Sequence, residues 1–174
     1  MFECGVDAGE CDDGEFAVVT TKNYPNDYNA HDNGIVTITG PASYSFTAFE
    51  LELAGTGCRA DYVQISGQKY CNSTSPPNST VPSGSSLQIA FDADYSIESS
   101  GFRLAVYDAT LTALGTNTTA TLERCQGDCD NDDDCADGLK CYQRESSDNV
   151  PPGCEAGGSG DIWDYDYCYD PAFG

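Results

Sequence analysis

Between residues 15 and 108 the apolar side chains come in short runs, most of them alternating with polar ones, and Gly, Pro, Asn, Asp or Ser cuts each run off. No other feature constrains the fold as much. A period of two puts every second side chain on one face of an extended strand, and the turn residues keep each strand short. The runs are residues 15–20 (EFAVVT), 35–39, 44–53, 61–66 (DYVQIS), 86–91 (SLQIAF) and 101–108. In the longest, Phe49, Leu51 and Leu53 alternate with Glu50 and Glu52, which share one face. The expected fold class is all-β, with Val63, Ile65, Leu87, Ile89, Phe91, Phe102, Leu104 and Val106 in the core.

Ten cysteines, an even number, imply an oxidising compartment and a disulfide framework. Three N-glycosylation sequons, at Asn72, Asn78 and Asn117, point the same way. Seven basic residues against twenty-nine acidic ones give a net charge of −22, which argues against nucleic acid as a partner and for basic proteins or divalent cations. No run is long enough to span a membrane. The opening MFECGVDAGECDDGE is too polar for a secretory signal, so the sequence is expected to start after a removed signal or inside a longer protein.

Acids gather where strands end. Asp61 opens the run after Cys58, and Asp92 and Asp94 follow SLQIAF before GFRLAVY resumes. Turns can bring such carboxylates together, and carboxylates that converge need a cation, because like charges a few ångströms apart repel when partly desolvated. Outside cells, the hard cation that oxygen ligands select is calcium.

Six stretches, NYPNDY (23–28), FTAFELE (46–52), Cys58-x-x-Asp61-Tyr62-Val63-x-Ile65, Cys71, FDADYS (91–96) and GFRLAVY (101–107), fall in one order and spacing. In that register the chain resembles a CUB domain. The resemblance implies an antiparallel two-sheet jelly roll in an extracellular, secreted or cell-surface protein. It further implies the calcium-binding subgroup found in the initiating proteases of complement. Its ligands, carried over by position, are Glu52, Asp61, Asp94 and the main-chain oxygen of Ser96, with Tyr28 supporting them. Two departures stand out: one extra residue between Glu52 and Cys58, and Ile97 where an Asn ligand often stands. The resemblance also implies a Cys58–Cys71 bridge and the loss of the family's first bridge, whose second cysteine falls near Gly34. Cys4 is then open to pair with Cys11 in a local loop, the preferred reading, or with the C-terminal module.

The expected organisation is an N-terminal cysteine-containing segment (1–13), a CUB-like domain (14–108), a linker (109–124) and an acidic cysteine-rich module (125–174). The last holds Cys125, Cys129, Cys135, Cys141, Cys154 and Cys168 with thirteen acids and two bases, and almost no aliphatic residues. Bridges rather than burial should hold it, as three disulfides of open connectivity. Asp128, Asp130, Asp132 and Asp134 alternate, but the Gly and distal Glu of an EF-hand loop are missing. Trp163, Tyr165, Tyr167 and Tyr169 either pack over the disulfides or form a stacking surface.

No catalytic set is evident. A Ser-His-Asp triad would have to use His31, the single histidine, and no nucleophile elbow, zinc-protease helix, phosphate loop or CxxC occurs. Glu50, Glu52, Asp61, Asp92 and Asp94 could supply the acids of a glycosidase, but calcium ligation accounts for three of them in the register of the resemblance. A non-enzyme is therefore expected, a module binding an extracellular protein through its Lys or Arg in a calcium-dependent way, in adhesion or matrix assembly. Two other classes stay open: a lectin-like module taking a glycan, and a self-associating structural subunit of a coat or fibre.

Overall fold

The computed structural model describes residues 16–53, 57–115, 121–146 and 149–174. The chain divides into two compact units. The first comprises the described parts of Met1–Thr39, Tyr44–Pro77 and Ser86–Val106, the second those of Gly40–Ser43, Asn78–Ser85 and Tyr107–Gly174. Regular structure is almost entirely β, with only two 3-10 turns, Asp132–Asp134 and Pro171–Phe173, among the described residues. No helix there is long and apolar enough to cross a membrane.

The sandwich strands are β1 (Ala17–Thr20), β2 (Asn33–Thr39), β3 (Ala42–Glu50), β4 (Tyr62–Ile65), β5 (Gln68–Tyr70), β6 (Ser79–Val81), β7 (Ser86–Asp92) and β8 (Gly101–Asp108). They form two sheets, ordered β1-β8-β3-β6 and β2-β7-β4-β5. The β1/β8, β2/β7, β4/β7 and β4/β5 pairs are antiparallel. Alternation in sequence becomes alternation in burial: Val63 and Ile65 on β4, and Ile89 and Phe91 on β7, point inward. Leu87 is only half-buried. Strand β8, flanked on both sides, buries Phe102, Leu104, Ala105 and Val106. Gly101 starts it at φ 84°, where a Cβ would sit 1.8 Å from Thr21 Oγ1, so only glycine fits.

The core leads to one rim through rings packed edge to face, a favoured aromatic geometry. Phe46 meets Phe102 with centroids 5.5 Å apart, Phe102 meets Phe91 at 5.7 Å, and Phe91 meets Tyr28 at 5.2 Å. Tyr28 is thus fixed with its phenol tip at the edge of the core.

One sequence expectation needs correction at that rim. The long strand was expected to reach Leu53 with Glu50 and Glu52 on one face, but β3 ends at Glu50. Leu51 N–H instead donates to the Asn72 carbonyl at 2.8 Å, and the chain leaves the sheet. Glu52 then turns inward and is 6% exposed, while Leu53 is 82% exposed.

The second unit contains a small sheet ordered β11-β12-β10-β9, made of β9 (Thr112–Ala113), β10 (Gln126–Gly127), β11 (Lys140–Tyr142) and β12 (Tyr167–Tyr169). Disulfides join Cys125 to Cys154, Cys129 to Cys141 and Cys135 to Cys168. Two small cores form around them, one from Leu111, Cys125, Cys154 and Tyr167, the other from Leu122, Cys129, Cys135 and Cys168. Leu111 and Leu122 come from the stretch read as a linker, 109–124.

Three of the alternating acids of this unit act as local hydrogen-bond acceptors. Asp134 accepts from the backbone of Asp130 and Asn131, Asp132 from Cys141, and Asp128 from Asp166. Tyr167 is fully buried in the first small core, and Trp163 is 69% exposed. A buried Arg144 guanidinium reaches Asp161 at 2.7 Å, and with the backbone N–H of Gly157 it holds the Asp161 carboxyl below its usual range although burial alone would raise it. Cys4 and Cys11 lie outside the described residues, as does Asn117.

Candidate metal centre

Three segments meet beside Tyr28: the chain leaving β3, the start of β4 and the loop after β7. Their carboxylates, on Glu52, Asp61 and Asp94, each offer an oxygen within 4.8 Å of the other two. Asp61 is 1% exposed, Glu52 6%, and Asp94 is half-buried. Two carboxylate charges at such a separation repel by about 3–4 kcal/mol at an effective dielectric constant of about 20.

Asp61 is the best-satisfied member. Its Oδ2 accepts the Tyr28 hydroxyl and its Oδ1 accepts the Asp94 backbone N–H at 2.7 Å. Tyr28 also accepts from Glu52 N–H at 3.2 Å, so one phenol ties two of the three acidic segments together. Burial first, and then the hydrogen bond to Asp61, push the Tyr28 phenol well above its usual pKa, which keeps the proton that it donates.

Asp94 organises its own loop. Its Oδ1 accepts the Ser96 backbone N–H at 2.8 Å and the Ser96 hydroxyl at 3.4 Å, and its carbonyl accepts His31 N–H at 2.7 Å. A second strut, Ala93 N–H to the Asp32 carbonyl at 2.9 Å, fixes the same loop against the turn that holds Tyr28. The Cys58–Cys71 disulfide lies beside this region, just ahead of Asp61.

Glu52 is different. Its Oε2 is buried with no hydrogen-bond partner. Burial raises the Glu52 carboxyl above the usual carboxylate range, and the charges of Asp94, Asp61 and Glu98 raise it further. An unpartnered carboxylate oxygen beside two more carboxylates is a poor arrangement for a protein alone, but it suits a hard cation, and an all-oxygen donor set fits calcium.

The structure therefore brings together Glu52, Asp61, Asp94, Ser96 and Tyr28. Asp92 stands apart: it is exposed and accepts the Tyr62 hydroxyl at 3.4 Å. Glu50 is also exposed and accepts the Ser100 hydroxyl at 3.1 Å. Glu98 was not singled out in the sequence, although it lies two residues beyond Ser96 in the same loop. Ile97 is 68% exposed and sits at φ 62°, a left-handed conformation that β-branched residues seldom take. Of the sequons, Asn72 is half-buried and Asn78 donates through Nδ2 to the Ala172 carbonyl at 2.9 Å.

Comparison with known proteins gives consistent relatives. The chain is 29% identical over 115 residues to Protein SpAN of Strongylocentrotus purpuratus, covering 60% of this chain and 18% of that protein. It is 33% identical over 116 residues to cubilin of Sus scrofa, covering 59% of this chain and 3% of cubilin. The chain thus spans less than a fifth of either relative. Among solved structures, the MASP-1 CUB2 domain bound to Ca2+ is 28% identical with a TM-score of 0.45, covering 52% of this chain and 89% of that one. CUB domains in such proteins are typically extracellular, non-catalytic protein-interaction modules. The CUB domain family matches residues 4–106, more than half of the chain, and the chain belongs to that family.

Proposed function

We propose that this chain is an extracellular calcium-binding CUB module that engages a partner protein through that protein's Lys or Arg. The observation that carries the reading is the buried, unpartnered Oε2 of Glu52, whose carboxylate has an oxygen within 4.8 Å of oxygens of Asp61 and Asp94. Glu52, Asp61 and Asp94 would hold the ion through carboxylate oxygens, and Ser96 through its main-chain oxygen. Tyr28 orients Asp61 by its hydroxyl. Ile97 supplies no side-chain ligand, so water, or the Asp94 main chain, would fill the shell. An ion held there would offset the mutual repulsion of the three acids, so that Glu52, Asp61 and Asp94 tie the loop after β7 to the end of β3 and the start of β4. Carboxylate oxygens left at the rim then accept charge-assisted hydrogen bonds from a Lys or Arg, and such bonds weaken with salt.

Calorimetric titration with CaCl2 tests the assignment. Wild type is expected to bind one ion at this site, and Asp94→Ala is expected to lose it while keeping its far-ultraviolet circular dichroism. Equal calcium affinity in the two proteins would remove Asp94 from the ligand set. Exposure of Trp163 favours one further reading, glycan binding by the second unit. Glycan-array binding that survives chelator and disappears in Trp163→Ala would support that reading over the calcium-dependent one.

A further inference from the structure

Two disulfides of the second unit lie against each other. The Sγ atoms of Cys129, Cys135 and Cys168 all fall within 4.8 Å of one another, although Cys129 is bonded to Cys141 and Cys135 to Cys168. The remaining cysteine, Cys141, is the register partner of Cys168 in the antiparallel β11/β12 pair. Residues directly opposite in such a pair have Cα atoms about 4.5 or 5.5 Å apart. That lies inside the span of about 4.4–6.8 Å that a disulfide bridges. The same four cysteines therefore admit a second pairing, Cys129 with Cys135 and Cys141 with Cys168.

Disulfides exchange when a thiolate attacks one of their sulfurs, and the rate depends on which sulfur it can reach. Access singles out Cys141. Cys129, Cys135 and Cys168 are buried, whereas Cys141 is partly exposed. The exposed Gln143 donates through Nε2 to Cys141 Sγ at 3.2 Å, a contact that supports negative charge building on that sulfur under attack. Asp132 accepts the Cys141 N–H at 2.9 Å, so an anionic thiol is repelled from the site and a cationic one is favoured.

We infer that Cys141 is a site of attack by a small aminothiol, and that the attack switches the cysteine-rich module to its second disulfide pairing. The incoming thiolate bonds to Cys141 Sγ, and the Cys129–Cys141 bond breaks with its electron pair left on Cys129. Burial disfavours the Cys129 thiolate, which bonds to the adjacent Cys135 Sγ and expels Cys168 as a thiolate. Cys168 then bonds to Cys141, its partner across the ladder, and the aminothiol leaves as the thiolate that entered. Two disulfides stand before and after, so the thiol is a catalyst and the net change needs no oxidant or reductant. The switch unties the acidic turn Asp132–Asp134 from β12, to which the Cys135–Cys168 bridge holds it, and closes that turn in a ring of its own. This inference is independent of the calcium reading.

The test incubates the full oxidised chain with cysteamine under anaerobic, native conditions and stops the reaction at intervals with N-ethylmaleimide. Cleavage at Asp and Lys without reduction, followed by mass spectrometry, assigns every bridge and every adduct. The cysteamine adduct is expected on Cys141 before any other cysteine, followed by loss of the Cys129–Cys141 and Cys135–Cys168 links and a matching rise of Cys129–Cys135 and Cys141–Cys168. The Cys58–Cys71 and Cys125–Cys154 links should persist throughout. A first adduct on another cysteine, pairwise reduction to free thiols without the two new links, or a pairing that never changes would each overturn the inference.

Discussion

Replacing Glu52 by Gln removes one negative charge from the carboxylate cluster and keeps its shape. Two repulsive pairs disappear, with Asp61 and with Asp94, each about 3–4 kcal/mol at an effective dielectric constant of about 20. Protonation relieves that repulsion in the metal-free protein below the Glu52 carboxyl's folded pKa, which burial and its acidic neighbours raise. An acid with a raised folded pKa keeps its proton in the native state where the unfolded chain has released it. Wild-type stability without metal therefore falls as pH rises from the unfolded Glu value, about 4.3, through the higher folded one.

In Glu52→Gln that share of the slope is absent. Without calcium the variant is expected to match wild type near pH 4 and to exceed it by about 1–3 kcal/mol at pH 7. Calcium should shift the balance toward wild type by about 2.3 kcal/mol. At a concentration a hundred times its dissociation constant, calcium stabilises wild type by about 2.7 kcal/mol, and a hundredfold weaker site in the variant would retain only about 0.4 kcal/mol. Urea unfolding at the two pH values, with chelator or with CaCl2, measures all four conditions. A metal-free variant no more stable than wild type at pH 7, or an equal calcium effect on both proteins, would refute the electrostatic account of the cluster.

Two further substitutions probe the frame around the site. Gly101→Ala should cost about 2–4 kcal/mol, because its Cβ would meet Thr21 Oγ1 at 1.8 Å in a backbone conformation that alanine disfavours, and a fall in Tm checks it. Ile97→Asn should raise metal-free stability by about 1 kcal/mol, since Asn tolerates the φ of 62° far better than a β-branched residue does. A loss of stability in Ile97→Asn would mean that Ile97 is not strained.

The sandwich was legible because burial there follows the two-residue alternation, as on β4 and β7. It failed to predict the end of β3. Periodicity alone puts Glu52 beside Glu50 on an exposed face and Leu53 inside, whereas the structure turns Glu52 in and Leu53 out. Bonding of Leu51 to the Asn72 backbone and the reach of Glu52 toward Tyr28 decide the matter, and both are long-range contacts with no local signature. Order and spacing of the CUB motifs were what pointed to Glu52.

The second unit was hardest to read. Its strands are two or three residues long, too short for any period, and six cysteines leave fifteen pairings open. Leu111 and Leu122 lie in a stretch, 109–124, that reads as a linker from its few charges and its sequon, although ATLTAL could also extend the last strand. Leu111 is buried with Cys125, Cys154 and Tyr167, and Leu122 with Cys129, Cys135 and Cys168.

A crystal structure grown in CaCl2 tests the central claim most directly. The account predicts one ion with carboxylate oxygens of Glu52, Asp61 and Asp94 at about 2.3–2.6 Å, and with the Ser96 carbonyl and water completing six to eight ligands. Carboxylates turned away from one another with no ion between them, in crystals saturated with calcium, would contradict it.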